Sequence, residues 1–219
     1  MSVPAESIFF DLWSASYDRP GLQQTTYRPI HDAVLDRLAD VSPKRILDLG
    51  CGTGQLTERL HEAFPDAAVT GADLSNGMLE RAALRAEARD AETAPVHALS
   101  GNFVRADALQ LPIADNTFDV VTCTESFHWY ADQTAAVREL ARLLRPGGRL
   151  IIASIATVTG FADDAIQRAT ELAGRPIRPI PKRRLKRLLE SDGFDVTHQG
   201  RIPRLGFVPW PMLTDATRS

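Results

Sequence analysis

A chain of 219 residues with 44% hydrophobic and 24% charged side chains has the balance of one globular α/β domain, long enough to bury a core without disulfides or a structural metal. The formal net charge of −3 argues against bulk nucleic-acid binding, which usually shows as a strongly basic domain. The longest apolar stretch, near Leu150 to Val158, is broken by Ser154 and Thr157 and is too short to span a bilayer. Met1 to Phe10 lacks the cationic start and apolar run of a signal peptide, so a cytoplasmic setting with Cys51 and Cys123 reduced is expected.

Short apolar runs alternate with helical patterns along the chain, the signature of βαβ units and a mostly parallel sheet. Val34, Leu38 and Val41 mark a first helix around Ile30 to Ala39, stopped by Ser42-Pro43. Lys44 to Leu49 reads as the first strand, and Gly50 to Gly54 as a glycine-rich turn. A helix with Leu56, Leu60 and Phe64 on one face follows, ended by Pro65. Ala68 to Ala72 is the second strand, closing on Asp73, and Ser75 caps a helix through Met78, Ala82 and Ala86. Asn102 to Arg105 and Phe118 to Thr122 are strands three and four. Val137, Leu140, Ala141 and Leu144 mark a helix ended by Pro146-Gly147-Gly148, ahead of a fifth strand, Arg149 to Ala153. Helices are expected near Ala162 to Ala173 and Pro181 to Ser191. Two last strands are expected near Phe194 to Thr197 and Leu205 to Val208.

The chemistry sits in Ile46 to Gly54, ILDLGCGTG. A hydrophobic strand delivers the chain to glycines at 50, 52 and 54, which accept backbone angles closed to other residues and let a ligand lie against bare main chain. The helix that follows presents unpaired N–H groups and a positive dipole end. Asp73, at the tip of the second strand, is where ribose hydroxyls are bound in dinucleotide folds. A nicotinamide or flavin fingerprint needs G-x-G-x-x-G, and Gln55 and Thr57 occupy the two positions where its third glycine would fall. The glycines read G-x-G-x-G instead.

Four stretches resemble the class I methyltransferases, specifically the small-molecule type 11 group. They are ILDLGCGTGQLT, VTGADLSNGMLERA, RADALQLPIADNTFDVVTC and ELARLLRPGGRLIIAS, in the family's order between Arg45 and Ser154. The resemblance implies a single Rossmann-like domain: a seven-stranded, mostly parallel sheet, helices on both faces and an antiparallel last strand. Residues 1–43 would be an N-terminal cap, 44–154 the cofactor-binding core and 155–219 the substrate-side helices and last strands. It implies S-adenosylmethionine as cofactor and S-adenosylhomocysteine as product. Gly50, Cys51, Gly52 and Gly54 would border the methionine part, with Asp48 supporting the loop and the amino group. Asp73 would bind the ribose, Leu74 and Met78 would flank the adenine, Asp107 and the Ala108 backbone would read its edge, and the Thr124 backbone would lie near the methionine end. Tyr17 would close over the cofactor. Taken alone, Asp73 reads as a helix-entry residue, Asp107 as a turn former, and Leu74 and Met78 as ordinary packing.

Acceptor-facing residues in this family follow strand four, here Thr124-Glu125-Ser126-Phe127-His128-Trp129-Tyr130. The absence of an Asn-Pro-Pro-Tyr element separates the chain from enzymes that methylate nucleobases or glutamine amides. Phe127-His128-Trp129, with Tyr17-Asp18 and Tyr27-Arg28-Pro29, resembles the subgroup of trans-aconitate and related small-carboxylate methyltransferases. The chain departs from that subgroup at Ile30-His31 and Pro20-Gly21. Tyr17, Arg28, His128 and Trp129 are the expected acceptor site. His128 is the candidate general base for a hydroxyl acceptor or a wall residue; Arg28 is a partner for an acidic substrate or an exposed helix-start residue.

The expected function is methyl transfer to a small molecule, with oxygen as acceptor atom, by a monomer or homodimer without nucleic-acid, membrane or metal partners. Two alternatives share the cofactor motifs: an RNA methyltransferase, supported by the basic run Lys182 to Arg187, and a non-catalytic cofactor-binding scaffold. Leucines at 185, 188 and 189 make that run a helix with one buried stripe and a charged outer face.

Overall fold

The computed structural model describes residues 23–93, 102–155, 163–172, 177–203 and 211–219. Strand β1 (Arg45–Leu49) has four consecutive buried residues after an exposed arginine, as a strand covered on both faces must. It lies inside a seven-stranded sheet, between β2 (Ala68–Asp73) and β4 (Phe118–Thr124), with β3 (Asn102–Arg105), β5 (Leu144–Ile155), β6 (Phe194–Arg201) and β7 (Pro211–Arg218) further out. The order is β3-β2-β1-β4-β5-β7-β6. Pairs from β3 to β5 are parallel, and β7 runs antiparallel to both β5 and β6. This is the topology that the resemblance implied, antiparallel last strand included.

Helices cover both faces because the strands alternate. Val120 and Ile151 face one apolar cluster with Ile30, Val34 and Leu38 of α1 (Arg28–Leu38) and Leu56 and Leu60 of α2 (Gln55–Ala63). Val121 and Leu150 face the other, with Val137, Leu140 and Leu143 of α4 (Gln133–Leu143) and Leu185 and Leu189 of α6 (Lys182–Ser191). Between them in sequence lie α3 (Asn76–Thr93) and α5 (Asp163–Leu172). Helix α4 starts at Asp132, whose side chain accepts from the N–H groups of Thr134 and Ala135.

Two boundaries differ from the expectation. Strand β5 begins at Leu144, not Arg149, because Leu144 pairs with Phe118 and the Pro-Gly-Gly segment lies within the strand as an irregularity. The last strand is Pro211–Arg218, while the expected strand at Leu205 to Val208 lies outside the described residues. Strand β7 carries Asp215, 1% exposed, whose carboxylate accepts from Arg149 Nε at 2.7 Å and Nη2 at 2.8 Å. This forked pair ties β7 to β5.

Helix α1 buries His31 to 7% exposure, and its pKa falls to about 4 through loss of hydration and the nearby Arg59 charge. The unfolded imidazole, with its ordinary value of 6.5, binds the proton more readily, so His31 makes stability fall as pH drops from 6.5 towards 4. Asp48 opposes it: burial raises its pKa from 3.8 to about 6, so its contribution falls as pH rises through that window. His31→Leu should therefore lose about 2 kcal/mol less than the wild type between pH 7 and pH ~4.5, read from urea midpoints. Parallel pH profiles in the two proteins would contradict the burial argument.

Candidate functional site

The order of strands reverses at β1: the chain proceeds outward through β2 and β3 on one side and through β4 and β5 on the other. Such a switch point leaves a crevice beyond the C-terminal strand ends, where ligands bind in open α/β sheets. A cavity of about 190 Å³ occupies that crevice.

One wall is the glycine loop. Gly50 and Cys51 both donate their N–H to the Ala72 carbonyl, at 2.7 and 3.1 Å, which pins the loop to the end of β2. Gly50, Gly52 and Gly54 all have positive φ, at 70°, 55° and 79°. The Asp73 carboxylate spans the loop and the next helix: Oδ2 accepts from Gly52 N–H and Oδ1 from Ser75 N–H, each at 2.9 Å. Beneath the loop Asp48, 1% exposed, accepts from Thr57 Oγ1 at 2.7 Å and Thr122 Oγ1 at 2.9 Å, joining β1, α2 and β4.

The facing wall is the segment after β4. Glu125 adopts φ +52°, an unusual backbone for a residue with a long side chain, while its N–H donates to the Ala153 carbonyl at 2.7 Å. The tight turn Phe127–Trp129 buries Phe127 and His128 and leaves Trp129 along the cavity. Ser126 Oγ lies 3.1 Å from Tyr130 Oη and donates to the Leu49 carbonyl at 3.2 Å. Burial raises the Tyr130 phenol well above its ordinary pKa, so it is neutral and a hydrogen-bond donor near pH 7.

Of the expected cofactor residues, Gly50, Gly52, Asp73, Leu74, Met78, Asp107, Ala108 and Thr124 all line this one cavity. Asp107 Oδ1 also accepts from Leu109 N–H at 2.9 Å. Asp48, Cys51 and Gly54 stand behind the lining, where Gly54 lets the chain approach Ala82 of α3 closely. Of the expected acceptor residues among the described ones, Arg28, His128 and Trp129, only Trp129 lines the cavity. His128 is 2% exposed, its Nδ1 lies 3.2 Å from Ser154 Oγ on β5, and its carbonyl accepts from Arg178 N–H at 2.7 Å. Arg28 is exposed at the start of α1, and Tyr17 lies outside the described residues. Sequence reasoning did not single out Glu125, Ser126 or Tyr130, although they stand in the stretch that it read as acceptor-facing.

The lining fits a nucleoside joined to an amino acid. A Cβ at Gly52 would meet nothing within 4 Å, so the bare loop faces open space, and carboxylates at 73 and 107 border the same cavity. Among the described residues no cluster suits a metal ion, and no helix is long and apolar enough to cross a membrane.

Residues 47–152 match the family described as a methyltransferase domain. Demethylmenaquinone methyltransferase of Thermus thermophilus is 45% identical over 118 residues, 54% of this chain and 50% of that protein. An O-methyltransferase of Aspergillus nomiae is 37% identical over 163 residues, 74% of this chain and 68% of that protein. The chain spans about half the length of the first curated relatives it matches. Among solved structures, the N-methyltransferase NodS from Bradyrhizobium japonicum, in complex with S-adenosylhomocysteine, aligns with a TM-score of 0.75 at 17% identity, covering 98% of this chain and 99% of that one. At that identity the likeness is one of fold.

Proposed function

The chain belongs to the class I S-adenosylmethionine-dependent methyltransferases of the type 11 group, and from that premise we propose that it transfers a methyl group to an oxygen atom of a small molecule. The observation that carries this reading is the meeting of Gly50, Gly52, Asp73, Asp107 and Thr124 around a single cavity at the sheet's switch point. Oxygen as acceptor draws support from the relative named an O-methyltransferase.

In this reading the Gly50–Gly52 main chain and the end of β4 hold the methionine part, and Asp73 accepts from the ribose hydroxyls. Leu74 and Met78 flank the adenine and Asp107 accepts from its amine. The bound cofactor supplies an electrophilic methyl group on a sulfonium sulfur. The protein's task is then to hold an acceptor oxygen in line and to keep water out. Trp129 and Tyr130 wall the cavity on the acceptor side, and Tyr130 can donate a hydrogen bond that orients the acceptor. A carboxylate acceptor needs no base. A hydroxyl does, and Glu125, which lines the cavity, is our candidate.

We assign His128 a positioning role, fixing the Phe127–Trp129 turn through Ser154 and the Arg178 backbone. His128→Asn, which can keep a polar contact to Ser154, should retain turnover within about threefold, whereas loss of a general base costs about 100-fold or more. A hundredfold fall in kcat with unchanged S-adenosylhomocysteine affinity would return the base to His128.

The function itself is tested by calorimetric titration with S-adenosylhomocysteine, using NADH as control. Binding of the first alone is expected. Failure to bind it would leave a fold without this chemistry.

A further inference from the structure

Helix α4 carries two charged side chains that lie outside the cofactor cavity and are nevertheless shielded from water: Glu139 is buried and Arg142 half-buried. We propose that Arg142, with Glu139 holding it, is a positioning residue for the cofactor's base. It fixes the loop between β3 and β4 so that Asp107 can tell adenine from a purine that lacks the amine. The adenine's part in this rests on the methyltransferase reading above; the clamp on the loop does not.

Residues 106–117 join β3 to β4 without a helix or strand of their own, and an isolated bridge between Asp107 and Gln110 is their one regular pairing. Holding so long an irregular segment in one shape costs backbone freedom at every residue. Its first residues, Ala106 to Leu109, line the cofactor cavity. Ala106 N–H ties the start of the loop to the Asp73 carbonyl at 3.0 Å. The rest is tied to α4. Arg142 Nε and Nη2 donate to the two oxygens of Glu139, at 2.8 and 2.6 Å, which sets the plane of the guanidinium. Its other contacts go to the loop. Nη1 donates to the Ile113 carbonyl at 2.7 Å and to the Asp115 carboxylate at 2.6 Å, and Nη2 to the Leu111 carbonyl at 3.1 Å. A guanidinium has five N–H donors, and these contacts use them all. Glu139 Oε1 also accepts from Leu111 N–H at 2.6 Å, so the pair takes both backbone groups of Leu111. Further along, Asn116 and Thr117 N–H donate to the carbonyls of Arg142 and Leu143, at 2.8 and 2.9 Å.

Arg142 therefore reaches the cavity only through the loop. Asp107 is exposed, and its place is set by the chain around it: its Oδ1 accepts from Leu109 N–H at 2.9 Å and its carbonyl from Gln110 N–H at 3.0 Å. Gln110 is followed directly by the clamped Leu111. A carboxylate accepts a hydrogen bond from the adenine amine, whereas the carbonyl that replaces this amine in hypoxanthine meets it with lone pairs. That distinction is kept only where the carboxylate is in place before the base arrives; a loop that can retreat relieves the repulsion and weakens the hydrogen bond. Bonding to Arg142 also holds the Glu139 carboxyl below its ordinary pKa, which keeps the pair charged near neutral pH.

The test titrates the whole chain calorimetrically with S-adenosylhomocysteine and with S-inosylhomocysteine, its deaminated counterpart. The wild type should prefer the first about tenfold or more. Arg142→Met should weaken S-adenosylhomocysteine binding about tenfold and S-inosylhomocysteine binding less than about twofold, so that the preference nearly vanishes. Arg142→Lys keeps the charge but has three donors for five places, and an intermediate preference is expected; it also serves if the methionine variant fails to fold. In an Asp107→Ala background, Arg142→Met should change S-adenosylhomocysteine affinity less than about twofold, since the group through which it acts is gone. Arg149→Met, which breaks the comparable fork to Asp215 on β7, is the structural control and should lose stability in urea while keeping the preference. The proposal is overturned if the folded Arg142 variants keep the wild-type preference, if the Arg149 control loses it as fully, or if the Asp107 and Arg142 effects simply add. A wild type that binds both compounds equally would overturn the Asp107 contact and the proposal with it. Binding of neither would overturn the methyltransferase reading itself, whereas a wild-type preference untouched by Arg142 would overturn this proposal alone.

Discussion

Asp73→Ala is expected to weaken S-adenosylhomocysteine binding about 100-fold, close to 3 kcal/mol, the scale of hydrogen bonds made to an ionised group in a partly dry site. The carboxylate holds Gly52 N–H and Ser75 N–H, and so fixes the glycine loop and the entry to α3 at once. A carboxylate offers about four acceptor sites, so ribose hydroxyls can donate to it beside these N–H groups. Alanine removes both functions, so a stability loss of about 1–2 kcal/mol should accompany the loss of affinity. Asp73→Asn separates them in part. The amide can accept from one of the two N–H groups but turns its NH₂ towards the other, and an intermediate affinity is expected. Calorimetry at a temperature where both variants remain folded, checked by urea denaturation, reads the two effects separately. Undiminished affinity in the alanine variant would remove Asp73 from the cofactor site.

Much of this site was legible because its chemistry requires particular residues at fixed places in the chain. Glycine at 50, 52 and 54 marks a turn with positive φ, and the acid at the tip of β2 lies on the cavity lining; both signals survive without coordinates. The parallel strands were legible for a similar reason, since strands buried on both faces read as unbroken apolar runs. Strand β7 was not. Its sequence, PMLTDATR, buries Thr214 and Asp215, and a polar pair satisfied by Gln199 and Arg149 respectively has no periodic signature. The start of β5 was misplaced because Leu144 continues the apolar pattern of α4 while its backbone has already joined Phe118.

The acceptor wall shows the limit more sharply. Thr124 to Tyr130 was marked as acceptor-facing, but composition could not say which side chains turn inward. The tight turn Phe127–Trp129 sends the imidazole of His128 towards Ser154 and leaves Ser126, Trp129 and Tyr130 at the cavity. Three residues are too few to carry a readable period. The basic run on α6 is a parallel case. Its leucine stripe was visible, but the hydrogen bonds that Lys182 exchanges with Gln199 of β6 were not. Those contacts are tertiary.

The glycine loop yields the other large effect, because two of its glycines are open to substitution in different senses. Gly50→Ala places a methyl group against the Ser126 side chain on a backbone with φ +70°. Alanine in that left-handed region costs about 1–2 kcal/mol, and forcing a methyl group into a filled space a further 1–3 kcal/mol. The loop cannot move away cheaply, since Gly50 and Cys51 are held to the Ala72 carbonyl and Ser126 to the Leu49 carbonyl. A total loss of about 3 kcal/mol in urea denaturation is expected, and adding Ser126→Gly should restore the steric share but not the backbone share. Gly52→Ala behaves differently. Its φ of +55° carries a similar backbone cost, but its Cβ meets no protein atom within 4 Å and projects into space where the cofactor would lie. The Gly52 variant should therefore fold with a loss of about 1–2 kcal/mol, yet bind S-adenosylhomocysteine at least as poorly as the Asp73→Ala variant. If Gly52→Ala kept its affinity while Gly50→Ala lost only stability, the loop would be structural and the cofactor would have to bind elsewhere.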